Sequence, residues 1–374
     1  MSYLNGTKNL DFIKKQMQSR KKILFVLPSL CAGGAERVMS FVSQQLNSND
    51  FDVKLIVLGF KKDAVYTVDS IEVKYLNKKR LLASVTTLFR LLMKEKPSIV
   101  VSSIGHVNIM MGFFSLFFRK IKFIGREASV VSKMNEFSKM NSKLNLTLMK
   151  IFYPRLSAII CQSEDMRNDF IHTLQLNPSK LVLIHNPITL IPKEESMYKS
   201  NPNSENFNFV TVGSLSEVKG YFRIIKGLSK IQNYSFNYCI IGSGPQEEQI
   251  KQLVEEYGLN DKVSFIHFTS NILGELINKN YFIQGSYVEG FPNALLESCT
   301  VGTPVIAFNA PGGTKDIVIN GENGFLVENE NDFSSLLNNL ERLKSIDPNK
   351  VKLSVINKFN SEKILSQYEE LLNR

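Results

Sequence analysis

The feature that most constrains the fold is a twofold series of short apolar segments alternating with amphipathic ones. Six apolar runs come first, at residues 23–27, 53–58, 99–102, 121–124, 158–161 and 181–184. Six more follow, at residues 207–212, 236–241, 263–268, 281–284, 304–308 and 325–327. Helical patterns lie between many of these runs, at residues 35–46, 81–96, 246–257, 293–300 and 332–343. Alternating strands and helices form parallel sheets, so we predict an α/β chain with two doubly wound, Rossmann-like domains.

A stretch rich in Pro, Asn, Ser and Glu separates the two series. We place the first domain at residues 1–188, with an extension at 1–21, and the linker at 189–206. The second domain is predicted at 207–355, and a C-terminal helix at 356–374 is predicted to pack back towards the first. Ligands of doubly wound sheets bind beyond the carboxyl ends of the strands. Two facing domains therefore predict a ligand site in the cleft between them.

Composition excludes several classes of protein. The chain has 374 residues, 43% of them hydrophobic and 21% charged, which is typical of a globular protein. Its four cysteines stand far apart, which excludes a disulfide scaffold or a zinc ribbon and fits a reducing cytoplasm. No apolar stretch reaches 18 residues and the basic N-terminus lacks an apolar core, so we expect neither a spanning helix nor a signal peptide.

The charge is unevenly distributed. The net charge is +10, but residues 1–188 carry +15 and residues 189–374 carry −5. A basic half suits nucleic acid, anionic lipid or a phosphorylated substrate, and an ordinary solvated surface is the alternative. No nucleic-acid-binding module is recognisable, so we expect no nucleic-acid partner. An apolar pattern at 109–118 closes on three cations at 119–122, and a weaker one lies at 81–96. These predict contact with an anionic membrane surface, unless the Phe-rich helix is core.

Glycine-containing loops follow several predicted strands. Gly33 and Gly34 precede a helix in the sequence GGAER, which is neither a Walker loop nor a dinucleotide fingerprint. Such glycines let the backbone approach a ligand at the positive end of a helix. A tight turn without a ligand is the alternative. In the second domain, Gly213 is followed by Ser214 and by Lys219, which suits an anion site as well as a solvated surface. Gly242 and Gly244 suit a phosphate-lining loop or a plain turn.

The most informative segment is residues 285–298 (GSYVEGFPNALLES). A helix is predicted to begin near Pro292, so backbone N–H groups around Gly290 and Asn293 would point into the cleft. Carboxylates accept paired hydrogen bonds from neighbouring hydroxyls. Glu289 and Glu297 could therefore hold a sugar and a ribose, with a helix-terminal or exposed glutamate as the alternative.

In this order and spacing, the motifs resemble those of retaining glycosyltransferases of family 4, which have the GT-B fold. The motifs are GGAER at 33–37, the loop from Gly213 to Lys219 and Gly220, GSGP at 242–245 and EGFPN at 289–293 with Glu297. They continue with GTPVI at 302–306 and PGGT at 311–314. The similarity is strongest to bacterial enzymes of capsule, O-antigen or lipid-linked oligosaccharide synthesis.

The resemblance implies specific residue roles. Glu289 would contact the donor sugar and Glu297 the ribose. Lys219 would hold the diphosphate, helped by backbone N–H groups of Gly33, Gly34, Phe291 and Asn293, with Pro292 shaping the same turn. Glu289 and Lys219 are the predicted catalytic residues. The co-substrate would be a nucleotide sugar, with UDP the expected nucleotide, and the acceptor a glycan or an undecaprenyl-diphosphate-linked glycan. Such an enzyme would work on the cytoplasmic face of the plasma membrane.

The sequence departs from the family pattern at two site positions. Ser214 stands where an arginine is common, which leaves Lys219 to bind the phosphate more alone, with Arg223 as a candidate substitute. Ala128 stands where many members have a histidine. Arg126, Glu127 and His106 are then the candidates to face the acceptor side of the cleft.

No metal or other cofactor is expected. Asp50 and Asp52 spell the Asp-x-Asp of metal-dependent transferases, but they lie in a helix-to-strand turn, on the far side of the sheet from the cleft. A sugar-nucleotide epimerase of the same fold remains an alternative reading of the motifs. It would act on the donor alone and would not need a basic, apolar acceptor domain.

Overall fold

The computed structural model describes residues 20–137, 142–190, 206–277 and 279–374. The predicted extension up to residue 19 and most of the predicted linker, residues 191–205, lie outside these ranges.

The first domain is built on a parallel sheet of seven strands, in the order β3-β2-β1-β4-β5-β6-β7. The strands are β1 (Lys21–Leu27), β2 (Phe51–Val57), β3 (Glu72–Tyr75), β4 (Ile99–Ser103), β5 (Lys122–Arg126), β6 (Ala158–Cys161) and β7 (Leu181–Leu183). The helices are α1 (Gly34–Gln45), α2 (Leu81–Glu95), α3 (Gly105–Phe114), α4 (Val131–Phe137), α5 (Ser142–Phe152) and α6 (Glu164–Leu174). Short 3₁₀ turns cover Lys61–Asp63, Tyr153–Arg155 and Pro178–Lys180.

The second domain has a parallel sheet of six strands, in the order β10-β9-β8-β11-β12-β13. The strands are β8 (Asn206–Val212), β9 (Ser235–Ile241), β10 (Val263–Ile266), β11 (Tyr281–Gln284), β12 (Val305–Phe308) and β13 (Gly324–Val327). After the 3₁₀ turn Glu217–Lys219, the helices are α7 (Tyr221–Leu228), α8 (Glu247–Glu256), α9 (Ile272–Ile277), α10 (Asn293–Thr300), α11 (Thr314–Ile317), α12 (Glu330–Leu337), α13 (Leu340–Leu343) and α14 (Pro348–Phe359).

The C-terminal helix α15 (Ser361–Asn373) belongs to the first domain. Its residues Ile364, Tyr368 and Leu372 are buried in one apolar cluster with Ile23 and Phe25 of β1. The helix before it, α14, buries Val351, Val355 and Phe359 in the core of the second domain. The chain therefore crosses between domains at Asn360, and the predicted boundary at 355/356 is corrected because it falls inside α14.

Strand order confirms the predicted pair of doubly wound sheets. In each sheet the first strand lies between the second strand and the fourth one along the chain. Such an order reversal opens a crevice at the carboxyl ends of the strands. Although β11 is only four residues long, it pairs in parallel register with both β8 and β12.

Candidate functional site

A cavity of about 860 Å³ lies between the two domains, at the carboxyl ends of their strands. Eleven of the predicted site residues line it: Gly33, Gly34, Ser214, Lys219, Gly242, Glu289, Gly290, Phe291, Pro292, Asn293 and Glu297. The motifs come from both sheets, so the fold brings together segments separated by more than 200 positions along the chain.

Lys219 and Glu289 form an ion pair in this cavity. The Nζ of Lys219 lies 2.6 Å from Oε1 of Glu289, and the hydroxyl of Ser286 donates to the same oxygen at 2.5 Å. The Lys219 side chain is 28% exposed and that of Glu289 10%. Lys219 ends the 3₁₀ turn, and the left-handed φ of +63° at Gly220 directs the chain into α7. The positive charge of Lys219 is thus held beside the carboxylate of Glu289, and solvent reaches both groups.

Glu297 is bound by an arginine of the opposite domain. Arg37, in the first turn of α1, donates from Nη2 to Oε1 of Glu297 in α10. The Glu297 side chain is 5% exposed. Burial raises the pKa of Glu297, although the nearby Arg37 acts in the opposite direction. Removing Arg37 would therefore leave a buried carboxylate without its charged partner.

Asn293 makes two contacts across the cleft at the start of α10. Its Oδ1 accepts from Nδ2 of Asn186 at 2.8 Å, and its own Nδ2 donates to the carbonyl of Gly34 at 3.4 Å. The EGFPN turn is therefore tied to both the end of β7 and the GGAER loop.

At Gly290 the backbones of the two domains lie close together. A Cβ added there would lie 1.9 Å from the carbonyl oxygen of Ala128, so no side chain fits without moving the domains apart. Ala128 itself lines the cavity. The position where many family members carry a histidine thus faces the EGFPN turn.

Two predicted donor-side residues lie outside the cavity. Arg223 donates from Nε to the carbonyl of Gly285 at 2.7 Å and from Nη2 to that of Ser286. Its guanidinium carbon stacks 4.1 Å from the Tyr287 ring centroid and 3.7 Å from that of Phe308. Burial lowers the pKa of Arg223 to about 10. Arg223 therefore supports the loop that carries Glu289, and the expectation that it replaces the missing phosphate-binding arginine is corrected.

Gly244 is the second predicted donor-side residue that lies outside the cavity. A Cβ there would lie 2.4 Å from the carbonyl oxygen of Leu215, so this glycine permits close packing of two loops. Gly242, in contrast, lines the cavity, with a φ of +146° that favours glycine.

The three predicted acceptor-side residues do not line the cavity. Arg126 is fully buried and donates to Oδ1 of Asn186 at 2.7 Å, so it positions a residue that does line it. Glu127 is buried and accepts from the hydroxyl of Tyr153 at 2.5 Å and from the N–H of Ala128 at 2.9 Å. Burial raises the pKa of Glu127. His106 is exposed at the start of α3.

Sequence reasoning missed several residues of the cavity. Arg37, Gln162, Asn186, Tyr66 and His267 all line it, from five separate segments. Arg37 is the last residue of the recognised GGAER motif. Its position in the first turn of α1 could have indicated that it faces the cleft. Tyr66 and His267 follow strands in loops without a recognisable motif.

The described residues contain no group of three or more His, Cys, Asp or Glu side chains that could hold a metal ion. Asp50 is exposed and accepts from Asn47 at 2.8 Å, and β2 begins at the next residue. Asp50 and Asp52 thus lie at the amino end of β2, opposite the cleft. Within the same described ranges, no helix combines the length and apolar character needed to cross a bilayer.

This arrangement can bind a ligand that carries both hydroxyls and negative charge. Glu289 and Glu297 supply buried or half-buried acceptors, whereas Lys219, Arg37 and the first turns of α1 and α10 supply donors. Residues of both domains line the cavity, so both domains can hold a ligand there.

Comparisons with known proteins agree with this geometry. Residues 32–190 match the model "Glycosyltransferase Family 4", and residues 192–355 match "Glycosyl transferases group 1". The chain is 28% identical to an uncharacterized glycosyltransferase of Haemophilus influenzae, over 83% of this chain and 87% of the relative. A second relative, from Campylobacter jejuni, is N-acetylgalactosamine-N,N'-diacetylbacillosaminyl-diphospho-undecaprenol 4-alpha-N-acetylgalactosaminyltransferase, 24% identical over 89% of this chain and 94% of the relative. The structure of Anabaena HepE in complex with UDP and glucose is similar with a TM-score of 0.76 and 18% identity, covering 95% of this chain and 100% of HepE.

Proposed function

The chain belongs to glycosyltransferase family 4 and has the GT-B fold, and from this premise we propose the reaction and its substrates. The enzyme transfers a hexose or an N-acetylhexosamine from a UDP-sugar, with retention of anomeric configuration. The acceptor is a glycan or a lipid-linked glycan of bacterial surface polysaccharide synthesis. The observation that carries this proposal is the placement of Glu289, Glu297 and Lys219 in one cavity between the domains.

In the proposed complex, Glu289 accepts hydrogen bonds from the donor sugar and Glu297 from the ribose. Both roles follow from the resemblance, and the burial of the two carboxylates supports them because a buried acceptor binds hydroxyls more strongly than a solvated one. UDP is supported by the complex of HepE with UDP and glucose. A lipid-linked acceptor is supported by the Campylobacter relative, whose name specifies a diphospho-undecaprenol-linked acceptor.

Departure of the diphosphate is the step that needs most charge stabilisation. Lys219 lies in the cavity, and the backbone N–H groups at the starts of α1 and α10 point the positive ends of two helices at the same space. Since these groups belong to the chain itself, we expect turnover to persist in EDTA. A complete loss of activity that magnesium or manganese restores would contradict this mechanism.

The direct test is a thermal-shift screen of nucleotide sugars, followed by a hydrolysis assay on each compound that binds. A UDP-sugar is expected to raise the melting temperature and to release UDP slowly in water. Conversion of the nucleotide sugar into an epimer without release of UDP would favour the epimerase alternative. Binding of arbitrary oligonucleotides that weakens steeply with salt would favour the nucleic-acid alternative.

We further propose that the first domain docks on an anionic membrane surface. Three chain segments, residues 73–94, 96–126 and 142–163, contain no aspartate or glutamate. They include all or nearly all of α2, α3 and α5, which carry exposed apolar side chains next to exposed cations. Charge complementarity therefore favours an anionic bilayer as the occupant of this face.

Aromatic contacts connect α2, α3 with the turn after it, and α5 into one surface, which we call the docking face. The Phe117 ring lies 5.6 Å from that of Phe89 in α2, and the Phe113 ring 5.9 Å from that of Phe152 in α5. Phe113 is 38% exposed, Leu116 40% and Phe117 57%. The exposed cations Arg119, Lys120 and Lys122 follow directly. The prediction that residues 109–118 form one helix is partly wrong, because α3 ends at Phe114 and the following turn exposes Phe117.

Co-sedimentation with liposomes tests the docking face. Wild-type protein is expected to pellet with vesicles that contain phosphatidylglycerol and to remain in solution with phosphatidylcholine vesicles or at high salt. Combining Phe117→Ser with Lys120→Ser should abolish pelleting. The matched control replaces two exposed lysines of the second domain, Lys344→Ser with Lys350→Ser. Equal recovery in the supernatant under every condition would contradict the proposal.

A further inference from the structure

Both permanent cations among the described cavity-lining residues are paired with the carboxylates of the site. Lys219 lies 2.6 Å from Glu289, and Arg37 binds Glu297 across the cleft. A nucleoside diphosphate brings two phosphates into this space and also brings the hydroxyls that the carboxylates are proposed to bind. The donor can therefore exchange partners with both ion pairs at once.

Other basic groups near the cavity are committed elsewhere. The guanidinium of Arg223 binds two backbone carbonyls and is sandwiched between two rings. His267 lines the cavity, but its Nε2 lies 2.8 Å from Oε1 of Glu247. Ser214 carries no charge at the position where the family commonly has an arginine. Within the described lining, Arg37 is therefore the remaining permanent cation that can assist Lys219.

We infer that Arg37 is a second diphosphate-binding residue, supplied by the first domain, and that donor binding moves it from Glu297 to phosphate oxygens. This inference rests on the proposed function, since it takes the ligand to be a nucleoside diphosphate whose ribose hydroxyls replace Arg37 on Glu297. The cation and the carboxylate each keep a hydrogen-bonded partner throughout the exchange.

The chemistry of Arg37 suits this role. A guanidinium has five N–H donors in a planar fork that matches phosphate oxygens bidentately. One Arg37 nitrogen binds Glu297, and its Nε is buried without a hydrogen-bond partner among the described residues. The side chain is 19% exposed and lines the cavity, so a ligand there can reach it.

Calorimetric titration with uridine and with UDP tests the inference. Arg37→Gln is expected to lower the affinity for UDP by about 10- to 100-fold, the loss typical of one charged hydrogen-bonded contact. The affinity for uridine should not fall, because uridine lacks phosphates and no longer competes with Arg37 for Glu297. Arg342→Gln, an exposed arginine of α13, is the matched control and should leave both affinities unchanged.

Two further variants address the buried carboxylate that Arg37→Gln leaves unpaired. Arg37→Lys keeps the charge and should show a smaller loss of UDP affinity. Adding Arg37→Gln to Glu297→Gln should still weaken UDP binding relative to Glu297→Gln alone. Equal losses for uridine and UDP would overturn the inference, because Arg37 would then act only by orienting Glu297, and unchanged UDP affinity would overturn it too. Failure of the wild type to bind UDP would instead refute the proposed function, and the inference with it.

Discussion

Asn186 and Asn293 connect the two domains through a side-chain hydrogen bond of 2.8 Å between Nδ2 and Oδ1. Asn186 is buried and also accepts from the fully buried Arg126 at 2.7 Å. Asn293 is the first residue of α10, and its Nδ2 donates a further hydrogen bond to the carbonyl of Gly34. These four residues come from four separate segments of the chain, and together they set the position of the EGFPN turn relative to the first domain.

Replacing either asparagine should weaken donor binding, with different effects on stability. Asn293→Ala removes the cross-cleft bonds and should raise the donor KM while leaving the free energy of unfolding nearly unchanged. Asn186→Ala also leaves a buried Arg126 nitrogen without its partner, and should cost about 1–3 kcal/mol of stability. Urea unfolding and steady-state kinetics of both variants check this. Equal destabilisation by the two substitutions would contradict it.

Glu289→Gln and Glu297→Gln should each reduce turnover by about 30- to 1,000-fold, because each removes a charged hydrogen-bond acceptor from the site. The fold should survive both changes, as circular dichroism would show. Glu255→Gln, an exposed glutamate of α8, provides the control. Near-native activity in both site variants would refute the assignment.

Gly290→Ala should lower kcat/KM by about 100-fold, since displacements near 1 Å are enough for such losses. The added methyl would lie 1.9 Å from the Ala128 carbonyl oxygen and must push the domains apart. Gly258→Ala is the control, because nothing lies within 4 Å of its Cβ position. Its φ of +64° makes the substitution cost about 1 kcal/mol of stability, but activity should be kept. Unaltered kinetics in Gly290→Ala would show that the approach of the domains is not needed.

Because of Glu127, the free energy of unfolding should fall as the pH rises above 4.5. Burial raises its pKa in the folded protein above the ordinary value of 4.5, so the folded state holds a proton that the unfolded chain has already released in this window. Glu127→Gln removes this dependence, and its stability relative to wild type should improve between pH 4.5 and the raised pKa. Urea unfolding at several pH values measures the difference. A difference that stays constant, or that changes in the opposite direction, would contradict the prediction.

The motifs of the site were predictable because each consists of residues that lie close together in the sequence. A glycine at a strand end, a lysine after it, or two glutamates eight residues apart around a helix start can be recognised without knowing the fold. β3 was missed because its sequence carries no local signal of a buried strand. Its four residues, EVKY, lie at the sheet edge with no buried residue, so they show no apolar run. The predicted helix at 332–343 is interrupted at Asn338 and Asn339, where asparagine side chains bind nearby backbone groups.

Sequence motifs located eleven of the residues that line the cavity, and the sequence by itself determined the two parallel sheets and the position of the cleft. Strand-helix periodicity and the rule that ligands bind at the carboxyl ends of strands are sufficient for those conclusions. Only the tertiary structure decided which charges meet. Arg37 and Glu297 are 260 positions apart, and their pairing depends on how two separately folded domains face each other. The same holds for Arg223, whose guanidinium stacks on Tyr287 and Phe308 outside the cavity. These rings belong to the loop after β11 and to the end of β12, which only the folded sheet brings beside α7.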